Sequence, residues 1–295
     1  MKIGVILASF VVASGLVACG ASSGAGIKRD QLASGELATY QTLVAEADAA
    51  YTKRGEQPQL ELAVQKYEQA VRLKDDDHDT YTKLSHAAYL LADGYYSFDP
   101  ARKADLLAMH QKGYEHAERG LLALSADFEH KRATGVAIEV AVKSLGREAV
   151  PLMYWYATNL GRWGNAQSFT TVLKYKNRIY EMISHVLSLD PNYFYGAPDR
   201  YFGAFFAIAP PFAGGDLTKS NEHFQASQKI APNYLGTYNL IAEFYAPKAQ
   251  DAALFDRSIQ FVLDAPVDVI PELAPEAAIE KKKAERLKAR RDELL

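Results

Sequence analysis

Three aspartates that alternate along the chain have the most suggestive spacing of chemically active residues in this sequence. Asp75, Asp77 and Asp79 lie two residues apart, as the acidic ligands of a calcium-binding loop do. Such a loop also needs a glycine at its turn and a bidentate acid at its end, but Thr80 and His86 occupy those positions. We therefore interpret the segment as a solvated turn between helices and expect no metal site.

Catalytic and cofactor-binding patterns receive no better support from the sequence. The seven histidines include no His-Glu-x-x-His pattern, and a Gly-x-Ser-x-Gly match at 20–24 follows no predicted strand. The paired glycines at 214–215 are not followed by the Gly-Lys-Ser/Thr that a phosphate-binding loop requires. We expect a protein that is not an enzyme and needs no cofactor. An enzyme whose site is assembled from scattered residues is the least favoured alternative.

Gly214, Gly215 and Asp216 form a motif with a structural explanation. The two glycines permit backbone angles that are closed to other residues. The Asp216 side chain can accept hydrogen bonds from the free N–H groups of a helix that begins at Leu217. With Phe224 in that helix, the motif predicts a turn followed by a capped, packed helix.

Aromatic residues are dense between positions 154 and 212. Most should be core, because aromatic side chains dominate burial in helical proteins. Some nevertheless make the apolar sector of their helix too wide for one contact face. Two interpretations stay open: all of them are core, or some line a cavity with Arg147, Arg162 or Arg200 at its rim to bind a carboxylate. The candidate cavity residues are Trp155, Tyr156, Trp163, Arg200, Tyr201, Phe202, Phe205, Phe206 and Phe212.

The elements that must position these residues are predicted to be helices. Apolar residues recur at spacings of three and four, with breaks rich in Pro, Gly or Asp between the runs, and no stretch alternates with period two. The sequence therefore predicts an all-α fold of helical hairpins, with a closing helix at 272–295. The other predicted helices are 32–53, 59–73, 78–95, 101–124, 131–160, 167–189, 201–209, 217–230, 233–246 and 253–263.

The hairpins show features of degenerate tetratricopeptide repeats. Pro232 and Pro266 lie 34 residues apart, the length of one such repeat, whereas Pro191 and Pro232 lie 41 apart. Small residues at 113, 117 and 120 would let two helix backbones approach closely. Stacked hairpins bury faces that none could bury alone, and they create a concave surface or lumen. A generic all-α bundle without true repeats remains the alternative to a compact solenoid.

Basic residues are concentrated in the predicted closing helix. They complement the helix dipole near its C-terminus. Contact with anionic lipid or an acidic partner is one interpretation, but a solvated face is favoured. The residues are Lys281, Lys282, Lys283, Arg286, Lys288, Arg290 and Arg291.

The N-terminus has the features of an export signal. Lys2 precedes an apolar run at 3–18, which is shorter than the roughly 20 residues of a membrane-spanning helix. The sequence Leu-Val-Ala-Cys at 16–19 resembles the lipobox of bacterial lipoproteins, which implies that 1–18 is a signal peptide and Cys19 is lipidated. Gly20 resembles the class sent to the outer membrane. Residues 19–29 would be a tether and 30–295 one helical domain. The alternatives for the N-terminal run are an uncleaved anchor helix or a chance apolar start.

The composition of the chain bears on its partners, its cross-links and its core. Lys and Arg number 33 and Asp and Glu 36, a formal net charge of −3, so nucleic acid is not an expected partner. Cys19 is the only cysteine, which excludes an intramolecular disulfide. Hydrophobic residues make up 48%, enough for an ordinary globular core.

One series of motifs resembles a known family. It begins at Pro151 and continues as Leu-Met-Tyr-Trp-Tyr-Ala at 152–157, Gly-Ala-Pro-Asp-Arg-Tyr-Phe-Gly at 196–203, Ala-Pro-Pro-Phe-Ala-Gly-Gly-Asp-Leu at 209–217 and Ala-Glu-Phe-Tyr-Ala-Pro at 242–247. In this order the motifs resemble the T-components of TRAP (tripartite ATP-independent periplasmic) transporters. The resemblance implies a lipid-anchored, all-helical periplasmic protein that associates with the substrate-binding P-component and contains an apolar cavity; it also allows a homo-oligomer.

Two functions follow from these expectations. The first is an accessory component that binds the P-component and holds an apolar or organic-acid ligand in a helical cavity, on the periplasmic side of the envelope. The alternative is a tetratricopeptide-like scaffold lipoprotein for cell-envelope assembly.

Overall fold

The computed structural model describes residues 26–295. The predicted signal peptide at 1–18 and the predicted lipidation site Cys19 lie outside the described residues. Within the described part of the chain there are helices and no strands, so the predicted all-α fold is confirmed.

Helices of very different length follow one another along the chain. They are α1 (Ser34–Thr52), α2 (Gln57–Leu73), α3 (His78–Gly94), α4 (Lys103–Leu124), α5 (Ala126–Ala133), α6 (Ile138–Ala141), α7 (Val150–Gln167), α8 (Phe169–Leu189), α9 (Tyr193–Ile208), α10 (Leu217–Ile230), α11 (Leu235–Leu240), α12 (Ala246–Lys248), α13 (Ala252–Asp264), α14 (Ala274–Ala289) and α15 (Arg291–Leu294). A π-helical turn, Ile241–Tyr245, joins α11 to α12.

Consecutive helices pack as hairpins around two hydrophobic clusters. The larger cluster is built mainly from α1–α4 and α7–α9, and the smaller from α11, α13 and α14 with the turn between α11 and α12. Helix α14 contributes to both, because Ile279 belongs to the larger cluster whereas Ala284 and Leu287 belong to the smaller. An ion pair of 2.7 Å between Arg54 and Glu276 also joins α14 to the end of α1. The closing helix thus holds the two clusters together.

The small residues of α4 have the predicted role. Ala117 is fully buried, and α4 packs against both α3 and α7. A Cβ atom at Gly120 would lie 2.5 Å from Cδ2 of Leu152 in α7. The absence of a side chain at Gly120 is therefore what permits the close approach of these helices.

The predicted cap of α10 is confirmed. Gly214 has a φ of 92°, and the Asp216 carboxylate accepts hydrogen bonds from the N–H groups of Thr218 and Lys219, at 3.0 and 3.1 Å. Phe224, about two turns into the helix, is fully buried. The segment therefore fixes where α9 ends and where α10 begins.

The acidic segment before α3 has a structural role. Asp77 caps the helix by accepting hydrogen bonds from the N–H groups of Asp79 and Thr80. Asp75 forms an ion pair with Arg119 of α4. Within residues 26–295, no group of three or more His, Cys, Asp or Glu side chains is arranged to hold a metal ion.

The prediction of one helix over 131–160 is wrong. The chain leaves the helical conformation at Gly135, whose φ is 85°, and passes through α6 and two short 3-10 turns before α7 begins at Val150. The apolar spacing that suggested a helix reflects burial of Ile138 and Val142 against the core rather than helical continuity. Helix α9 opens with a left-handed turn at Phe194, Tyr195 and Gly196, so its regular right-handed part begins at Ala197, four residues earlier than predicted.

Candidate functional site

A cavity of about 400 Å³ lies among helices α3, α7, α8, α9 and α14 and the segment from α11 to the π-helical turn. Its wall combines fully buried residues with exposed ones, which mark where the cavity opens to solvent. We call these exposed lining residues the mouth; they are Asn165, Phe169, Leu173, Ile208, Arg286 and Arg290.

Four of the candidate cavity residues line this space: Trp155, Arg200, Tyr201 and Phe205. Trp155 is 3% exposed and lies on the face of α7 that is directed toward α3 and α9. Tyr201 and Phe205 are one turn apart on α9, so both are presented by the same helix face. Aromatic side chains from two helices therefore form an apolar part of the wall.

The other five candidates do not line the cavity. Tyr156 follows Trp155 but lies on another face of α7, where the Arg178 guanidinium donates a hydrogen bond to its hydroxyl at 3.3 Å. Trp163 packs on Tyr114 and Tyr175. Phe202 and Phe206 pack on His223 of α10, and Phe212 is 82% exposed.

Arg200, at the centre of α9, stabilises the backbone and is not an unpaired side chain at the cavity rim. Phe194, Tyr195 and Gly196 all have positive φ at the start of α9. Arg200, 4% exposed, donates hydrogen bonds to the carbonyls of Tyr195 and Phe194 at 2.9 and 3.2 Å. Its guanidinium also lies 3.9 Å from the ring centre of Tyr234. Buried carbonyls need such donors, so Arg200 holds this turn in place.

The other two arginines predicted at the cavity rim, Arg147 and Arg162, differ in their location. Arg147 lies outside the cavity and pairs with Asp190 on the surface at 2.9 Å. Arg162 lines the cavity, where its Nε atom lies 3.1 Å from Asp93. Of the three rim candidates, Arg162 and Arg200 thus reach the wall, and both are already engaged by protein groups.

A chain of alternating charges crosses one side of the cavity. Asp93 of α3 is 8% exposed and contacts both Arg162 and Lys283, the latter at 2.6 Å. Lys283 also pairs with Glu280 at 2.8 Å. Burial by itself would raise the pKa of Asp93, but the two cations outweigh burial and hold that pKa well below its usual range. The network therefore keeps Asp93 ionised in the protein interior.

The expectation of a solvated basic face on the closing helix is wrong for Lys283. Its side chain is 22% exposed, and both of its ion-pair partners line the cavity. A signal for this was available, because Lys283 stands four residues from both Ile279 and Leu287, on the apolar face of α14. Sequence reasoning also missed Asp93, Glu243 and Glu280 as wall residues.

Basic residues outnumber acidic residues on the wall. Asp93, Glu243 and Glu280 are the acids in the described lining. The bases are Arg162, Lys176, Arg200, Lys283, Arg286 and Arg290. The arrangement is suited to holding a molecule by apolar contact and electrostatics.

These features define a class: all-helical proteins with an internal cavity. Within that class, the chain belongs to the family of TRAP transporter T-components, whose family model matches residues 89–295, more than two thirds of the sequence. A search of curated proteins finds no match to the chain. The resemblance found in the sequence is therefore confirmed at the level of the family.

Family membership makes the chain an accessory TRAP transporter component and associates it with the periplasm and cell envelope. In the described part of the chain, no helix combines the length and the apolar character that crossing a membrane requires.

Proposed function

We propose that this protein is a lipid-anchored T-component that binds a substrate-binding P-component and holds an apolar or organic-acid ligand in its cavity. The observation that carries the proposal is the cavity itself: an aromatic wall that includes Trp155 and Phe205, with Arg286 and Arg290 at its mouth.

The size and charge of the cavity support a small ligand. Its volume of about 400 Å³ falls within the range of roughly 300–1,000 Å³ that is typical of ligand sites. The apolar wall suits a hydrocarbon or aromatic body. The guanidinium groups of Arg286 and Arg290 lie on the exposed part of the wall and are suited to a carboxylate entering from solvent.

Exposed apolar side chains around the mouth support a protein partner. Phe169 is 52% exposed and Ile208 40% exposed, and both line the opening. Phe212, 82% exposed, stands between the lining residues Pro210 and Ala213. Clustered exposed apolar groups are typical of interaction sites. A P-component bound here would place its own ligand next to the opening, which favours transfer between the two proteins.

The partner proposal predicts a specific loss of binding. Replacing Phe212 with Asp is expected to weaken P-component binding by about ten-fold or more, because a large exposed aromatic side chain would no longer be buried at the interface. The measurement is biolayer interferometry between the purified protein and the substrate-binding subunit of its transporter. The matched control is Val140→Asp on α6, 61% exposed and absent from the cavity wall.

Equal binding by the wild type and both variants would contradict docking at the mouth. Recovery of envelope-assembly proteins without any transporter subunit, in a pull-down from membranes, would instead favour the scaffold function.

Contacts near residue 26 support an anchor close to one end of the body. Glu129 accepts a hydrogen bond from the Ile27 N–H at 2.6 Å, and Ile27 is buried. The seven residue-to-residue steps from Cys19 to Gly26 can span at most about 25 Å. A lipidated Cys19 would therefore hold the α4–α5 end within that distance of the membrane.

The anchor proposal has a direct test. Replacing Cys19 with Ser is expected to move the protein from the membrane fraction to the soluble periplasmic fraction, because acyl chains supply the membrane affinity at about 0.8 kcal/mol per buried CH₂. Immunoblots of the two fractions measure the shift. Membrane retention of Cys19→Ser would show that the N-terminal segment anchors the protein without lipid.

A further inference from the structure

Glu243 differs from every other charged residue on the described cavity wall. It lies in the π-helical turn between α11 and α12, and within residues 26–295 its carboxyl group has no hydrogen bond or ion pair. The other eight charged residues all have such contacts. Their partners are Arg162 and Lys283 for Asp93, Lys283 and Asn239 for Glu280, Ala213 for Lys176, Phe194 and Tyr195 for Arg200, Ser97 for Arg286 and Glu293 for Arg290.

Asn239, one turn before Glu243, does have hydrogen-bond partners in α14. The Asn239 side chain donates hydrogen bonds to the Glu280 carbonyl and carboxylate, at 2.8 and 2.7 Å. Glu280 also pairs with Lys283. The Asn239 amide nitrogen, Glu280 and Lys283 are thus paired with one another. The Asn239 Oδ1 atom is buried without a hydrogen bond, and Glu243 lines the cavity without one.

The location of Glu243 carries an energetic cost. Burial raises its pKa, and nearby Asp93 adds to that effect, although Arg162 and Lys283 act against it. Glu243 is partly buried, and a carboxyl group that loses part of its contact with water without gaining a hydrogen bond is destabilising. π-helical turns occur frequently at functional sites. Both observations indicate that the group serves a bound molecule.

The charges around Glu243 indicate which hydrogen-bond donor group of a ligand would fit beside it. An ammonium group would meet a wall with six basic and three acidic residues, which disfavours a cation. A hydroxyl group carries no net charge. It can donate to an ionised carboxylate and can also pair with a protonated carboxyl, so it suits Glu243 in either state.

We propose that Glu243 binds a hydroxyl group of the ligand, and that the ligand is therefore an apolar molecule that carries a hydroxyl group. This inference rests on the proposed ligand-binding function of the cavity. The aromatic wall contacts the apolar body, and Glu243 selects hydroxylated molecules over those of the same shape that lack the donor.

The test uses probes that differ in one group. n-Octanol, n-octyl methyl ether and n-octylammonium are titrated into a Trp163→Phe protein, in which Trp155 on the cavity wall is the remaining tryptophan and reports binding by fluorescence. We expect n-octanol to bind roughly ten-fold more tightly than the ether, as one hydrogen bond to a charged group allows. Glu243→Leu should abolish that preference, and Glu243→Gln, which keeps an acceptor oxygen, should retain part of it.

The matched control is Glu222→Leu on α10, which removes the same charge from an exposed position outside the cavity and should keep the preference. Tightest binding of n-octylammonium would overturn the inference in favour of a cation site. Equal binding of the alcohol and the ether by the Trp163→Phe protein would show that Glu243 does not select a hydroxyl group. If none of these probes binds and octanoate does not bind either, the proposed ligand-binding function itself fails.

Discussion

Replacing Ala204 with Trp is expected to weaken binding of octanoate by about a hundred-fold or more while the protein remains folded. Ala204 lines the cavity on α9, between Tyr201 and Phe205, so an indole side chain there would occupy the space that a ligand needs. Since the space is empty of protein atoms, the substitution should escape most of the roughly 1–3 kcal/mol cost of overpacking a filled core. Isothermal titration calorimetry measures the binding, and urea unfolding checks the fold.

The control for this substitution is Ala253→Trp, at an exposed position of α13 outside the cavity. It should bind octanoate as the wild type does. A companion variant, Phe205→Glu, replaces an aromatic wall residue with a charge and should also abolish binding without unfolding the protein. Global unfolding of Phe205→Glu would instead show that Phe205 acts as core. Unchanged affinity in Ala204→Trp would mean that octanoate binds elsewhere.

The second large effect is expected at Asp93. Replacing Asp93 with Asn removes the anion that contacts both Arg162 and Lys283, and it leaves these two cations with less compensation. Breaking a buried ion pair costs roughly 3–5 kcal/mol, and since both cations retain some exposure we expect a loss of about 3 kcal/mol in the free energy of unfolding. Urea titration at neutral pH measures the loss.

The dependence on pH follows from the lowered pKa of Asp93. The stabilisation by its ionised form is complete above the pKa of an unfolded aspartate, about 3.9, and is lost as the pH falls toward the lower pKa of the folded protein. The stability difference between the wild type and Asp93→Asn should therefore be largest near neutral pH and shrink below about pH 4.

The control for the Asp93 experiment is Asp256→Asn, which breaks an ion pair with Arg291 on the surface. Exposed pairs contribute little, so this variant should unfold close to the wild-type urea midpoint. Equal effects of the two substitutions, or a difference at Asp93 that does not change with pH, would contradict a stabilising buried network.

Much of the fold could be predicted because its signals are local. The cap at Asp216 and the close approach at Gly120 each depend on residue types within a few positions, and both are present as expected. The helix predicted over 131–160 was wrong because Ile138 and Val142 bury their side chains without a continuous helix, a pattern that spacing alone does not distinguish.

The site was less predictable because its polar residues come from distant parts of the chain. Asp93 and Lys283 are 190 residues apart in sequence, and only the folded structure brings them into contact. Adjacent aromatics posed the same difficulty: Trp155 lines the cavity while Tyr156 does not, since successive residues of a helix face different directions. Arg200 was identified as a wall residue, but its hydrogen bonds to two carbonyls depend on a turn that the sequence did not indicate.

Native mass spectrometry of the protein purified from its own cell envelope tests the ligand-binding cavity most directly. The wild type and Ala253→Trp are expected to carry a small hydroxylated organic molecule that is released on collisional activation, whereas Ala204→Trp should be recovered without it. A wild-type protein that carries no molecule, and that also fails to take up octanoate or n-octanol when these are added, would contradict the account.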